Sequence, residues 1–154
     1  MTQAATAVEK SYWVVVADES RAIIYSRKTR RGPLLELSSL ENEMSRSKTS
    51  ELISDRGGRS YDSAGKGRHT MAREKSDPKR HLAEAFAKQI AERIGKATHV
   101  GSCRGYALVA PPRFLGILRD AVSIAASTEP YQSIAKEVVG KDTTFLQKLL
   151  EKPS

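Results

Sequence analysis

The sequence predicts an α/β fold with the element order βββ, long loop, αβαβα. Two short apolar runs, Tyr12 to Ala17 and Tyr106 to Ala110, have the nearly continuous apolar character of strands buried on both faces. Between them, apolar residues spaced four apart from Leu82 to Ile94 describe a helix. The polar, glycine-bearing stretch from Ser38 to Ser76 separates that helix from the strands before it.

Each element has a local reason. After Tyr12 to Ala17, Asp18-Glu19-Ser20 supplies turn chemistry and Arg21 to Ser26 returns as a second strand, so the two form a hairpin. Beyond the basic Arg27 to Arg31 and the break at Gly32-Pro33, Leu34 to Leu37 reads as a third strand. At Asp77-Pro78 an Asp can cap a helix whose first turn accommodates Pro. Leu82, Phe86, Ile90 and Ile94 follow, and the helix is expected to end near Gly95. Pro111-Pro112 stops the next strand and starts a helix carrying Phe114, Leu115, Leu118 and Val122. Ile134 to Val139 is the last expected strand, after which Thr143 or Thr144 can cap a terminal helix built on Leu146, Leu149 and Leu150.

With 154 residues and 39% hydrophobic content, the chain is expected to form one domain over residues 1–154, its core spanning about 12–150. Cys103 is alone, so no intrachain disulfide can form. His69, His81 and His99 stand at no zinc-ligand spacing, and no metal or other cofactor is expected. Met1 to Lys10 lacks the basic start and apolar run of a signal peptide, and no stretch reaches the roughly 18 apolar residues of a membrane span. A cytoplasmic, reduced setting is the expectation. Gly65-Lys66-Gly67 lacks the upstream Gly and the following Ser or Thr of a P-loop, and GxGxxG does not occur.

Charge is the informative property. The formal net charge is +8, and eight basic residues against three acidic ones lie between Arg56 and Arg80, accounting for five of those eight charges. The basic residues are Arg56, Arg59, Lys66, Arg68, Arg73, Lys75, Lys79 and Arg80, interleaved with Gly57, Gly58, Gly65 and Gly67 and almost nothing apolar. Residues 45–76 therefore read as a long, mobile, basic loop. Paired glycines let backbone approach a ligand closely, and flanking arginines can grip phosphate oxygens as a bidentate fork.

The order of elements, together with Trp13 to Asp18, Arg21-Ala22, Asp55-Arg56-Gly57-Gly58, Asp77-Pro78 through Phe86-Ala87, Val109 to Gly116 and Lys141 to Thr144, resembles the bacterial host attachment protein family. The likeness runs from about Tyr12 to Leu150, and Ala110-Pro111-Pro112-Arg113 with Leu115-Gly116 is its most specific piece. That family in turn resembles the middle domain of archaeal and eukaryotic class 1 release factors and of the rescue factor Pelota. The resemblance implies a mixed sheet of about five strands with packed helices, ribonuclease H-like, and a long loop before the first helix. In release factors that loop carries Gly-Gly-Gln, which helps water attack the peptidyl-tRNA ester. Gly57-Gly58-Arg59 stands in its place here.

A permanent guanidinium cannot act as a general base, so Arg59 speaks against hydrolysis and for a noncatalytic role. Pelota-type relatives also lack the glutamine and act by binding the ribosome. The expected partner is therefore RNA, either tRNA or the ribosome, bound by Arg56, Gly57, Gly58, Arg59, Lys66, Arg68, Arg73, Lys75, Lys79 and Arg80. Arg113, near a helix N-terminus, is a secondary candidate for holding an anion. Asp18 is similar in position to the acidic residue that binds a divalent ion in ribonuclease H-like nucleases. The candidate partner carboxylates Glu19, Asp55 and Asp120 have no spacing that identifies them as such, and a turn residue or a partner for Arg21 is the simpler reading. Two other functions stay open: a host-attachment or adhesion-related protein acting indirectly, and a peptidyl-tRNA hydrolase or nuclease.

Overall fold

The computed structural model describes residues 10–43 and 77–152. Strand β1 (Ser11–Ala17) lies at the centre of a five-stranded mixed sheet, with β2 (Arg21–Arg27) antiparallel beside it and β3 (Leu35–Glu41) antiparallel to β2 at one edge. On its other side β4 (Cys103–Ala110) runs parallel to β1, and β5 (Gln132–Ala135) runs parallel to β4. The order across the sheet is β3-β2-β1-β4-β5. Helix α1 (Pro78–His99) precedes β4, α2 (Pro112–Ala126) makes the crossover from β4 to β5, and α3 (Thr143–Glu151) follows β5. The α/β class and the order of elements agree with the sequence reading.

Period-two geometry sends alternate residues of β1 to opposite faces, and both faces are covered. Trp13, Val15 and Ala17 join Ile24, Tyr106 and Leu108 under α1 and α2, which contribute Phe86, Ile90, Ile94, Phe114 and Leu118. Val14 and Val16 join Tyr25, Ala107 and Val109 under α3, which contributes Leu146, Leu149 and Leu150. This double coverage is why the Tyr12 to Ala17 run shows no polar alternation.

Four boundaries depart from the sequence reading. Strand β3 extends to Glu41, past the expected Leu37, and Leu34 lies just ahead of it as a core residue. As an edge strand its side chains are mostly exposed, so Ser38 and Ser39 sit in it without an apolar signal. Helix α1 runs four residues beyond Gly95 and stops at Val100, with Gly101 at φ +87°. Gly95 is a packing residue: a Cβ there would stand 2.7 Å from the carbonyl oxygen of Ala125 in α2. Strand β5 occupies 132–135 rather than Ile134 to Val139, because Val138 and Val139 pack toward α3 from the connection that follows. The cap of α3 is Asp142, whose carboxylate accepts from the Phe145 amide at 2.9 Å, so Thr143 is the first helical residue.

Candidate nucleic-acid interface

The antiparallel hairpin β1/β2 turns at one end of the sheet, and the chain enters and leaves the basic segment at that same end. Pairing of Ala17 with Ala22 and of Arg21 with Glu41 aligns the C-terminal ends of β1 and β3. Asp18 shapes the turn. Its Oδ1 accepts from the Ser20 amide at 2.8 Å and the Arg21 amide at 2.9 Å, a local Asx arrangement that stands in for missing backbone bonds. Asp18 therefore serves as the turn residue, and its bond to Arg21 goes to the backbone rather than to the guanidinium.

Asn42 closes the base of the segment. Buried to 4% exposure, it donates from its backbone amide to the Ser20 carbonyl at 2.8 Å and from Nδ2 to the carbonyls of Glu19 at 3.0 Å and Leu82 at 3.5 Å. The last residues before the basic segment are thus tied both to the β1/β2 turn and to the start of α1. On the return side, Asp77 caps α1 by accepting from the Lys79 amide at 3.0 Å, as its sequence context predicts.

The structure brings part of the expected site together. Arg113, in the first turn of α2, faces Asp77 with its Nη2 3.9 Å from the carboxylate, and both side chains are about half exposed. Such a pair contributes little to stability but places a guanidinium beside the returning chain. Lys79 and Arg80 are exposed on the first turn of α1, where Arg80 pairs with Glu84 at 2.9 Å. Arg56, Gly57, Gly58, Arg59, Lys66, Arg68, Arg73 and Lys75, and the mobile loop expected over 45–76, lie outside the described residues.

Sequence reasoning missed two cations at this end. The Arg21 guanidinium lies so near Gly140 that a Cβ there would stand 3.0 Å from it, and Lys141 is the next residue. Gly140 sits at φ +95°, which permits that approach. A glycine beside a lysine was the one signal in the sequence. Asp18, Glu41 and Asp77 lie at this end as well, so among the described residues its charge is mixed and an excess of positive charge would come from the basic segment. Among the described residues no group of three His, Cys, Asp or Glu converges to hold a metal ion. No described helix is long and apolar enough to cross a membrane.

Burial pushes the Cys103 thiol above its ordinary pKa, against the opposing effect of hydrogen bonds with Gly105 and Thr98, which makes it a poor nucleophile. A cavity of about 1050 Å³ is lined by residues of α1 and α2, among them Ala91, Gly95, Ala121 and Ile124, and by Leu40 of β3, and holds none of the residues expected to act on RNA.

A search of curated proteins finds no match to the chain. A family model described as "protein required for attachment to host cells" matches residues 13–150, and the chain belongs to that family.

Proposed function

We propose that this member of the host-attachment family is a noncatalytic RNA-binding domain that engages tRNA or the ribosome through its basic Gly-Gly-Arg segment. One observation carries the reading: five of eight net positive charges fall between Arg56 and Arg80, and the described chain on either side of residues 44–76, at Asn42 and at Asp77, is held at one end of the sheet. A long cationic segment with a fixed base can follow an irregular phosphate surface while its attachment stays rigid. Affinity comes from release of counterions as phosphates are neutralised, with little selectivity for base sequence. Tyr61 and His69 are the groups in that stretch able to stack on bases, which favours recognition of shape and backbone.

Arg59 in the position of the release-factor glutamine supports binding without ester hydrolysis. The mixed five-stranded sheet with helices on both faces is the scaffold that the likeness to release-factor middle domains calls for, and it supports that relationship as a proposal. Attachment to host cells, the phrase in the family's description, is read as a downstream consequence of RNA binding in the cytoplasm.

Sedimentation of the tagged protein with ribosomes through sucrose tests the reading. Co-migration with ribosomal particles at low salt and release at moderate salt is the expected result. Recovery in the outer-membrane fraction with none on ribosomes would replace it with a direct role in attachment. Peptide release from peptidyl-tRNA above background, lost on Gly58→Ala, would replace it with hydrolysis.

A further inference from the structure

The end of the sheet opposite Asn42 and Asp77 holds a second cationic cluster that the basic segment does not explain. Pairing of Tyr12 with Arg27 and with Gly105 brings the start of β1, the end of β2 and the start of β4 together there. Tyr131 joins them just ahead of β5, its amide donating to the Tyr106 carbonyl at 2.9 Å. Tyr12 and Tyr131 meet edge to face with centroids 5.9 Å apart. The Arg30 guanidinium covers both rings, at 4.5 Å from Tyr131 and 5.5 Å from Tyr12, and Arg104 lies 5.7 Å from Tyr12. Cation–π stacking of this kind fixes the guanidinium plane without using its N–H donors.

Beside this wall lies a cavity of about 440 Å³ bordered by Arg27, Arg30, Arg31, Tyr131, Gln132 and the end of α3. Arg27 is the unusual residue in it. It is 3% exposed and its Nε donates to the Gly32 carbonyl at 3.0 Å, yet its Nη1 has no hydrogen-bond partner. The buried hydroxyl of Tyr131, which feels the Arg27 guanidinium, has no hydrogen-bond partner either. A buried guanidinium N–H and a buried phenol left unsatisfied are costly, and both can donate. The α3 carbonyls nearby are already occupied, Leu150 by Gln132 Nε2 at 3.0 Å and Leu149 by the Lys152 amide at 3.3 Å. Glu151 also borders the cavity and forms no ion pair with the described residues.

We propose that this cavity is a binding site for a phosphate group, whose oxygens accept from Arg27 Nη1 and the Tyr131 hydroxyl while Arg30 and Arg31 balance its charge. Guanidinium forks match phosphate geometry, and the cavity has room for a small organic group attached to the phosphate. Two sources share that chemistry: a small phosphorylated molecule, and the 5′-phosphate of an RNA. The site lies at the end of the sheet opposite Asn42 and Asp77 and does not rest on the RNA reading of the basic segment.

Calorimetric titration of the full chain with inorganic phosphate and with adenosine 5′-monophosphate, at ionic strength matched with chloride, tests the proposal. Saturable binding of either probe is expected, weakened about tenfold or more by Tyr131→Phe, which deletes one donor to a charged acceptor and leaves the ring in place. Arg30→Ala, at an exposed position, is expected to weaken it several-fold, and the combined Arg56→Ala, Arg59→Ala, Lys66→Ala and Arg68→Ala variant to leave it unchanged. Displacement of the probe by a 5′-phosphorylated oligoribonucleotide and not by its 5′-hydroxyl twin would identify RNA ends as the source. Displacement by neither would identify a small molecule. No binding beyond that of chloride, wild-type affinity in Tyr131→Phe, or loss of binding in the segment variant would overturn the proposal.

Discussion

The Asn42 side chain donates to the Glu19 carbonyl at 3.0 Å, tying the residue that precedes the basic segment to the tight turn of the β1/β2 hairpin. That bond, with donation from the Asn42 amide to the Ser20 carbonyl, makes the base of the segment part of the rigid sheet. Asn42→Ala removes a donor and leaves a carbonyl wanting at a buried place, with an expected cost of about 1–3 kcal/mol. Urea denaturation of the variant against wild type measures it, and a change below a few tenths of a kcal/mol would show that the clasp is not formed in solution.

Asp18 discriminates between a turn and a metal site. Its Oδ1 accepts two backbone amides, a task that the Asn amide oxygen can also perform. Asp18→Asn is expected to be close to neutral in stability, and Asp18→Ala to cost about 1 kcal/mol. Equal damage by both, together with stabilisation by Mg²⁺ of the wild type alone, would assign the residue to a cation.

At Gly95 two general effects oppose each other. Replacing an interior helix glycine by alanine gains up to about 1 kcal/mol in helix propensity. Here the new Cβ would lie 2.7 Å from backbone of α2, and moving one packed helix against another is expected to outweigh that gain, for a net loss of about 1–3 kcal/mol. A thermal melt of Gly95→Ala that rises instead of falling would contradict this close approach of the helices.

Much of the scaffold is legible in the sequence, and the misses share a physical cause. Tyr12 to Ala17 and Leu82 to Ile94 announce themselves because burial on both faces, or on one helical stripe, imposes a period that no other structure shares. Gly95 and the Val138-Val139 pair misled because a glycine looks alike whether it ends a helix or admits a neighbouring one, and β-branched residues pack well outside strands too. The edge strand β3 hid its length because solvent exposure removes the apolar alternation. Of the candidate site, Asp18, Asp77 and Arg113 were readable from turn and cap chemistry. The Arg27, Arg30 and Tyr131 cluster was not, since its members meet only through sheet pairing across more than a hundred residues.

The buried tyrosines set the alkaline limit of the fold. Burial raises the Tyr106 phenol above its ordinary value near 10, an interaction with the Thr128 side chain partly opposing this, and burial likewise raises Tyr25 and Tyr131. A group whose folded pKa exceeds its unfolded one keeps its full contribution below the unfolded pKa and loses it as pH rises through the folded one. Stability is therefore expected to fall as pH climbs through about 10 and beyond. Burial of Cys103 adds a decline that starts at about pH 8.5, the ordinary thiol value. Tyr106→Phe should cost about 0.5–1.5 kcal/mol at pH 7 and show a shallower alkaline slope than wild type. Parallel alkaline slopes for the two proteins in urea titrations would exclude this role for Tyr106.

The most direct test of the RNA reading is the salt dependence of RNA affinity in a variant of the basic segment. Arg56→Ala, Arg59→Ala, Lys66→Ala and Arg68→Ala are combined and compared with a charge-matched control, Lys88→Ala, Lys96→Ala, Lys148→Ala and Lys152→Ala, after circular dichroism shows that both keep their fold. Each phosphate that is no longer neutralised should flatten the log–log salt slope by about 0.7–0.9. The segment variant is expected to bind tRNA or ribosomes more weakly, with a slope shallower by roughly 2–3, while the control stays near wild type. Equal affinities and equal slopes for wild type and the segment variant would mean that these cations do not meet phosphate, and the RNA-binding assignment would fall.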